Sequence, residues 1–170
     1  ASDVYKRQTG LRVDRRLQAL GYKTRAVSRS TSPAFDWEDQ TTWRVALEGT
    51  ESAYVTFYPD LAIPTAEQSI RDFVALARAS GLRHVVLLSG RGETGAERAE
   101  AVIKNSGLNW NVVRASWFMQ NFSESFMIEG ILNGELVLPA GDILEPFVDV
   151  DDIADVAVAA LTCPELRNRL

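Results

Sequence analysis

Five short stretches hold the side chains that could do chemistry: Thr9-Gly10, Ser28-Arg29-Ser30, Phe57-Tyr58-Pro59, Ser89-Gly90-Arg91 and Ala115-Ser116-Trp117-Phe118. Each falls where a strand or a turn hands over to the next element. In an open parallel α/β sheet, ligands bind beyond the carboxyl ends of the strands, so these stretches suit ligand binding. Proton transfer is poorly provided for. A tyrosine becomes a useful acid or base when a nearby lysine lowers its pKa, yet none of Tyr5, Tyr22, Tyr54 and Tyr58 has a lysine four residues on. The single histidine, His84, precedes an apolar strand and reads as structural. The single cysteine, Cys163, stands in a Cys-Pro turn with no ligand pattern around it. It excludes an internal disulfide and fits a reducing compartment.

The elements that must position these residues alternate along the chain. Leu11, Val13, Leu17 and Leu20 fall three to four apart for the most part, with Gly21 as a helix stop. Residues 22–28 read as a strand and 40–47 as a short helix, and 53–58 are an aromatic, β-branched strand halted by Pro59. Thr65 to Gln68 have capping-box form, and Ile70, Phe73, Val74 and Ala77 then make one apolar face closed by Gly81. Residues 85–88 form the continuous apolar run of a strand covered on both faces. A helix over 96–105, a strand over 110–113, a helix over 121–132 and a strand over 147–150 follow. A last helix, capped by Asp151, turns Ile153, Val156, Ala157, Ala160 and Leu161 inward and stops at Pro164. Strands alternating with helices of this length imply βαβ units and a doubly wound parallel sheet in one domain.

Composition excludes several classes. In 170 residues with 46% hydrophobic and 24% charged content there is room for one core, and the formal net charge of −5 argues against a nucleic-acid footprint. No stretch approaches the roughly 20 apolar residues of a membrane span. The opening residues lack the apolar centre of a signal peptide, and a cytoplasmic protein is expected.

Thr9-Gly10-Leu11-Arg12-Val13, followed by a leucine-bearing helix, resembles the end of the glycine-rich turn of the NmrA-like branch of atypical short-chain dehydrogenases, TGxTGxxG-R-x-V. The match continues in order through Ala26-Val27-Ser28-Arg29, then Val85-Val86-Leu87-Leu88-Ser89-Gly90, then Val113-Arg114-Ala115-Ser116-Trp117-Phe118 with Asn121-Phe122 beyond, and ends with Pro146-Phe147-Val148-Asp149-Val150-Asp151-Asp152-Ile153-Ala154. If Gly10 is the third glycine of the turn, Val4 and Arg7 hold the other two positions. Residues 1–8 therefore read as foreign to the family. The expected chain is a partial NAD(P)-binding Rossmann domain over 9–170, lacking its first strand and cut short at its far end as well.

The resemblance implies a nicotinamide dinucleotide as cofactor. About 20 residues beyond the glycine turn, an acid selects NAD and an arginine favours NADP. Here stand Ser28, Arg29 and Ser30, with no acid before Asp36, so NADP is expected over NAD. Cofactor contacts are expected from Thr9, Gly10, Ser28, Arg29, Ser30, Tyr58, Pro59, Ser89, Gly90, Ser116, Trp117 and Phe118. Ser89 stands where the dehydrogenase serine would, without a Tyr-x-x-x-Lys partner. That absence matches a branch containing NADPH-dependent quinone or azo reductases and redox-sensing regulators. Two roles follow: reduction of an apolar acceptor such as a quinone, or non-catalytic dinucleotide sensing with a protein partner. Arg114 and Asp149 are expected to pair across two strand ends. The first strand is central in the order 3-2-1-4-5-6, and its loss would leave unpaired edges and weak cofactor affinity.

Overall fold

The run Val85-Val86-Leu87-Leu88 lies at the centre of the molecule, because a strand apolar on both faces must be covered on both. The computed structural model describes the backbone of residues 2–125, 127–138, 141–142 and 144–170, and the side chains of these from residue 8 onward. Ala1 and the side chains of Val4, Tyr5 and Arg7 lie outside the described residues.

Strand β2 (His84–Gly90) sits between β1 (Ser52–Val55) and β3 (Asn109–Ala115), and both pairings are parallel. Each crossover carries a helix. Helix α3 (Ala66–Ala79) joins β1 to β2, and α4 (Thr94–Lys104) joins β2 to β3. Both cover one face with α2 (Trp43–Leu47), burying Val85, Leu87 and Val112 against Ile70, Phe73, Ala99 and Ile103. The other face, with Val86 and Val113, lies against Val13 of α1 (Ser2–Ala19) and Ile153, Ala154 and Ala157 of α6 (Val150–Thr162). A second, two-stranded parallel sheet pairs β4 (Trp117–Phe118) with β5 (Phe147–Val148). Helix α5 (Ile128–Leu132) lies between them in sequence. The expected α/β fold, with a parallel sheet wrapped on both faces, is the one observed.

Several local expectations are corrected. Residues 22–28 form no strand, and both Tyr22 and Val27 are exposed. A strand needs a partner for its backbone groups, and among the described residues none pairs with this segment or with the outer edge of β1. Residues 121–132 are not one helix: a 3-10 turn at Met119–Phe122 is separated from α5. The expected capping box is absent, because Thr65 makes no side-chain cap bond. Helix α6 starts earlier than expected. Asp149 is its N-cap, accepting from the Asp151 amide at 2.8 Å, and Val156 points outward.

An aromatic cluster closes the α2 side. Trp43 is fully buried, stacks near Phe35 with centroids 5.9 Å apart, and meets Trp37 and Phe73 edge-on. Its indole N–H donates to the Asp36 carbonyl at 2.6 Å, and that of the half-buried Trp37 to the Thr56 carbonyl at 3.0 Å, so neither ring leaves its N–H unsatisfied.

Candidate dinucleotide site

The strand exits carry most of the residues expected to bind a ligand, in three groups. In the first, residues 28–33 fold into a hydroxyl-rich turn. The Ser28 amide donates to Thr31 Oγ1 at 2.8 Å, and the Ser28 and Ser30 hydroxyls lie 3.2 Å apart. The Arg29 guanidinium sits over the Tyr58 ring, 5.1 Å from its centroid. Two segments 29 positions apart in sequence thus meet, Pro59 adjoining, through a cation–π contact.

The second group is aromatic. Trp117 is 41% exposed, and its ring meets Phe147 edge-on with centroids 6.3 Å apart. Phe122 reaches the same ring at 5.0 Å. Phe118, by alternation along β4, is buried instead, and Ser116 is half-buried. Trp117, Phe122 and Phe147 therefore form a partly open apolar wall, whereas Phe118 belongs to the core.

The third group surrounds Ser89, which has no tyrosine–lysine pair beside it in sequence and is held instead by a buried carboxylate. Ser89 and Arg114 are register partners on β2 and β3 and point to the α4 side. Between them α4 inserts Glu100, fully buried. Ser89 Oγ donates to Glu100 Oε1 at 2.7 Å, Arg114 binds both oxygens at 2.9 and 2.6 Å, and Lys104 donates to Oε2 at 3.0 Å. Burial pushes the Glu100 carboxyl up, but hydrogen bonds from Arg114, Ser89 and Lys104 outweigh it and hold the pKa at about 2. Arg114 therefore pairs with Glu100 and not with Asp149, whose carboxylate accepts from Gln120 Nε2 at 2.8 Å. The reason is register: Arg114 faces α4, on the side of the sheet away from α6.

Gly90 follows Ser89, and a Cβ there would meet only the flexible end of the Glu93 side chain. Glu93 escaped the sequence reading. Burial, and then the nearby Asp60, raise its carboxyl pKa above the usual glutamate value. Glu100 escaped as well, although Ala96, Ala99, Glu100 and Ile103 share one buried face of α4 and a charge on such a face is a signal.

Thr9 and Gly10 are placed differently from expectation. They form no turn but lie inside α1, where each amide bonds the carbonyl four residues back. A Cβ at Gly10 would meet nothing within 4 Å, so the glycine serves no close packing. Thr9 is buried, and burial pushes the pKa of the Tyr54 phenol on β1 up. Farther along α1, Arg12 and Arg16 reach Asp151 at 3.3 and 2.7 Å, and Arg12 also holds Glu124 at 2.8 Å. The pairs with Asp151 tie α1 to α6, and the pair with Glu124 ties it to the segment ahead of α5.

His84 is buried on β2 with Nε2 3.0 Å from Asn111 Oδ1, which agrees with a structural histidine. Among the described residues no cluster of potential metal ligands occurs, and no helix is long and apolar enough to cross a membrane.

Comparison with known proteins agrees with this frame. No family model matches the chain. It is 31% identical over 145 residues to the prestalk A differentiation protein A of Dictyostelium discoideum, covering 82% of this chain and 46% of that protein. It is 32% identical over 160 residues to the agroclavine dehydrogenase of Claviceps fusiformis, covering 84% of this chain and 55% of the relative. Its fold matches the Citrobacter sp. triphenylmethane reductase complexed with NADP(H), with a TM-score of 0.75 at 16% identity over 95% of this chain and 65% of that one. The chain spans about half the length of the curated relatives it matches. Ordered motifs, parallel sheet and relatives together place it in the NmrA-like branch of the short-chain dehydrogenases/reductases, as part of an NAD(P)-binding Rossmann domain.

Proposed function

We propose that this chain is the dinucleotide-binding part of an NADPH-dependent reductase acting on an apolar acceptor such as a quinone. The observation that carries the reading is the Arg29–Tyr58 contact flanked by the Ser28 and Ser30 hydroxyls. That corner supports NADP over NAD: an arginine rather than an acid stands at the position that distinguishes the two cofactors, beside hydroxyls suited to the sugar. The Trp117, Phe122 and Phe147 wall suits the apolar acceptor.

Not all of the chain fits the cofactor equally. Thr9 and Gly10, in the interior of α1, offer no free amide to a pyrophosphate in this conformation.

A bound NADPH supplies the hydride. The chain's own residues have three tasks: Arg29 and Tyr58 hold the adenosine end, the aromatic wall excludes water from the acceptor, and the Glu100 network fixes the ends of β2 and β3. A quinone that receives a hydride can take its proton from water, so a site without a Tyr-Lys pair remains competent. Dinucleotide sensing without turnover is the second reading. It is favoured by the buried Ser89, whose one hydroxyl proton is committed to Glu100 and so is not offered to a substrate.

The test is NADPH and NADH oxidation over a small panel of quinones, with Arg29→Ala alongside. Sustained turnover with NADPH preferred, and a preference roughly tenfold smaller in Arg29→Ala, is the expected result. Binding of NADPH without oxidation of any acceptor would favour the sensor.

A further inference from the structure

We infer that the cavity at the amino ends of β2 and β3 is a second ligand site, which takes a small phosphate monoester and holds its phosphate on Arg78 and Arg83. The candidate dinucleotide site lies at the carboxyl ends of these strands, so the two are separated by the length of the sheet. The cavity measures about 620 Å³, within the range of small-molecule pockets. Arg83 immediately precedes β2, and Arg78 lies in the last turn of α3. Leu82, Leu108 and Trp110, which belong to the core on the α3 and α4 side, form the apolar wall.

Neither guanidinium is committed elsewhere. An arginine in the last turn of a helix often satisfies the final carbonyls, but here the backbone does so. The Ser80 amide donates to the Leu76 carbonyl at 2.9 Å, that of Leu82 to Ala77 at 3.0 Å and that of Gly81 to Arg78 at 3.1 Å. The Arg78 guanidinium lies instead against Gly107, its Cζ 3.5 Å from where a Cβ would stand. Arg83 is engaged through its backbone, the amide donating to the Glu51 carbonyl at 2.9 Å and the carbonyl accepting from the Asn109 amide at 3.0 Å. Among the described residues neither side chain forms an ion pair or a hydrogen bond, and none of those lining the cavity is acidic. Two unbalanced cations at one cavity, in a chain of formal net charge −5, mark a place for an anion. Lys104 also stands near, 5.6 Å from the Trp110 centroid, but Glu100 balances its charge. Asn168 adds a neutral donor. Its amide donates to the Trp110 carbonyl at 2.6 Å and its Oδ1 accepts from the Trp110 amide at 3.1 Å, which fixes the side chain and leaves Nδ2 for a ligand oxygen. A phosphate monoester matches this set better than a carboxylate does. It brings close to two negative charges and three acceptor oxygens at neutral pH, and arginine forks engage such oxygens in pairs. Its organic part meets the apolar wall.

The test is a titration of phenyl phosphate, and of inorganic phosphate beside it, followed by amide chemical shifts with and without saturating NADPH. The expected result is shifts at Arg83, Gly107, Asn109 and Asn168 that NADPH does not remove, with phenyl phosphate bound more tightly than the free ion. The arm without NADPH decides even if the dinucleotide reading fails. Arg78→Ala and Arg83→Ala should each weaken binding about tenfold or more. Arg44→Ala, which removes an exposed charge on α2, should leave it unchanged. Arg78 and Arg83 are themselves exposed, so neither substitution empties the core. An equal loss in all three variants would reduce the site to general charge attraction and overturn it. Shifts that NADPH abolishes, or none at these residues up to about 10 mM phenyl phosphate, would overturn it as well. Equal affinity for the two probes would overturn the monoester assignment.

Discussion

Glu100→Gln is expected to cost about 3 kcal/mol of folding free energy at neutral pH, the low end of the range for breaking a buried ion pair. The reason is a carboxylate that is 1% exposed and serves three donors: Ser89, Lys104 and Arg114. The amide keeps the shape but removes the charge, leaving Arg114 and Lys104 without a counter-ion. Their side chains are 27% and 32% exposed, so water recovers part of the loss, which sets the low end. The pH dependence has a definite sign. A carboxyl depressed to about 2 in the folded chain contributes its full stability above the pKa of an ordinary glutamate, near 4.3. That contribution disappears as pH falls from there through about 2. Denaturant midpoints of the parent should fall through this window, and those of Glu100→Gln should fall less. A variant losing under about 1 kcal/mol, with the parent's acid profile, would mean that the network is a surface feature.

Trp43→Ala should cost a further class of energy, about 3–5 kcal/mol, by emptying the aromatic cluster. Trp43 contacts Phe35, Trp37 and Phe73, and its N–H satisfies the Asp36 carbonyl. The effect should reach the site, because Phe35 donates its amide to the Ser28 carbonyl at 2.9 Å. The turn bearing Arg29 is thus anchored to the cluster by one backbone bond. Urea denaturation of Trp43→Ala and of Val45→Ala, an exposed neighbour on α2, separates cluster loss from helix propensity. A Trp43 variant within about 1 kcal/mol of its control would contradict this account.

The elements most readable in the sequence were those whose burial is decided locally. The apolar run in β2 and the Ile70, Phe73, Val74, Ala77 face of α3 announce their surroundings by periodicity alone. Residues 22–28 carry strand chemistry, yet strand formation depends on a neighbour that the segment itself does not encode. The helix expected over 121–132 failed for a related reason. Gln120 donates to Asp149 and accepts from the Val150 amide at 3.0 Å, so the turn at Met119–Phe122 is tied to the start of α6 and cannot open into a longer helix. In the site, the meeting of Arg29 with Tyr58 was legible as two strand exits, since both follow strand-like runs. The partnership of Ser89 and Arg114 through Glu100 was not, because it depends on the β2–β3 register and on which face α4 covers. Thr9-Gly10 shows the converse case: the motif was legible, and its conformation was set by the residues preceding it.

The most direct test of the central claim is amide chemical-shift mapping on titration with NADPH. The account predicts shifts concentrated at Ser28, Arg29, Ser30 and Tyr58, at Gly90, and at Ser116 and Trp117, with NADH perturbing Arg29 less. Shifts confined to the opposite end of the sheet, around the cavity of about 620 Å³ lined by Arg78, Arg83, Trp110 and Asn168, would contradict it.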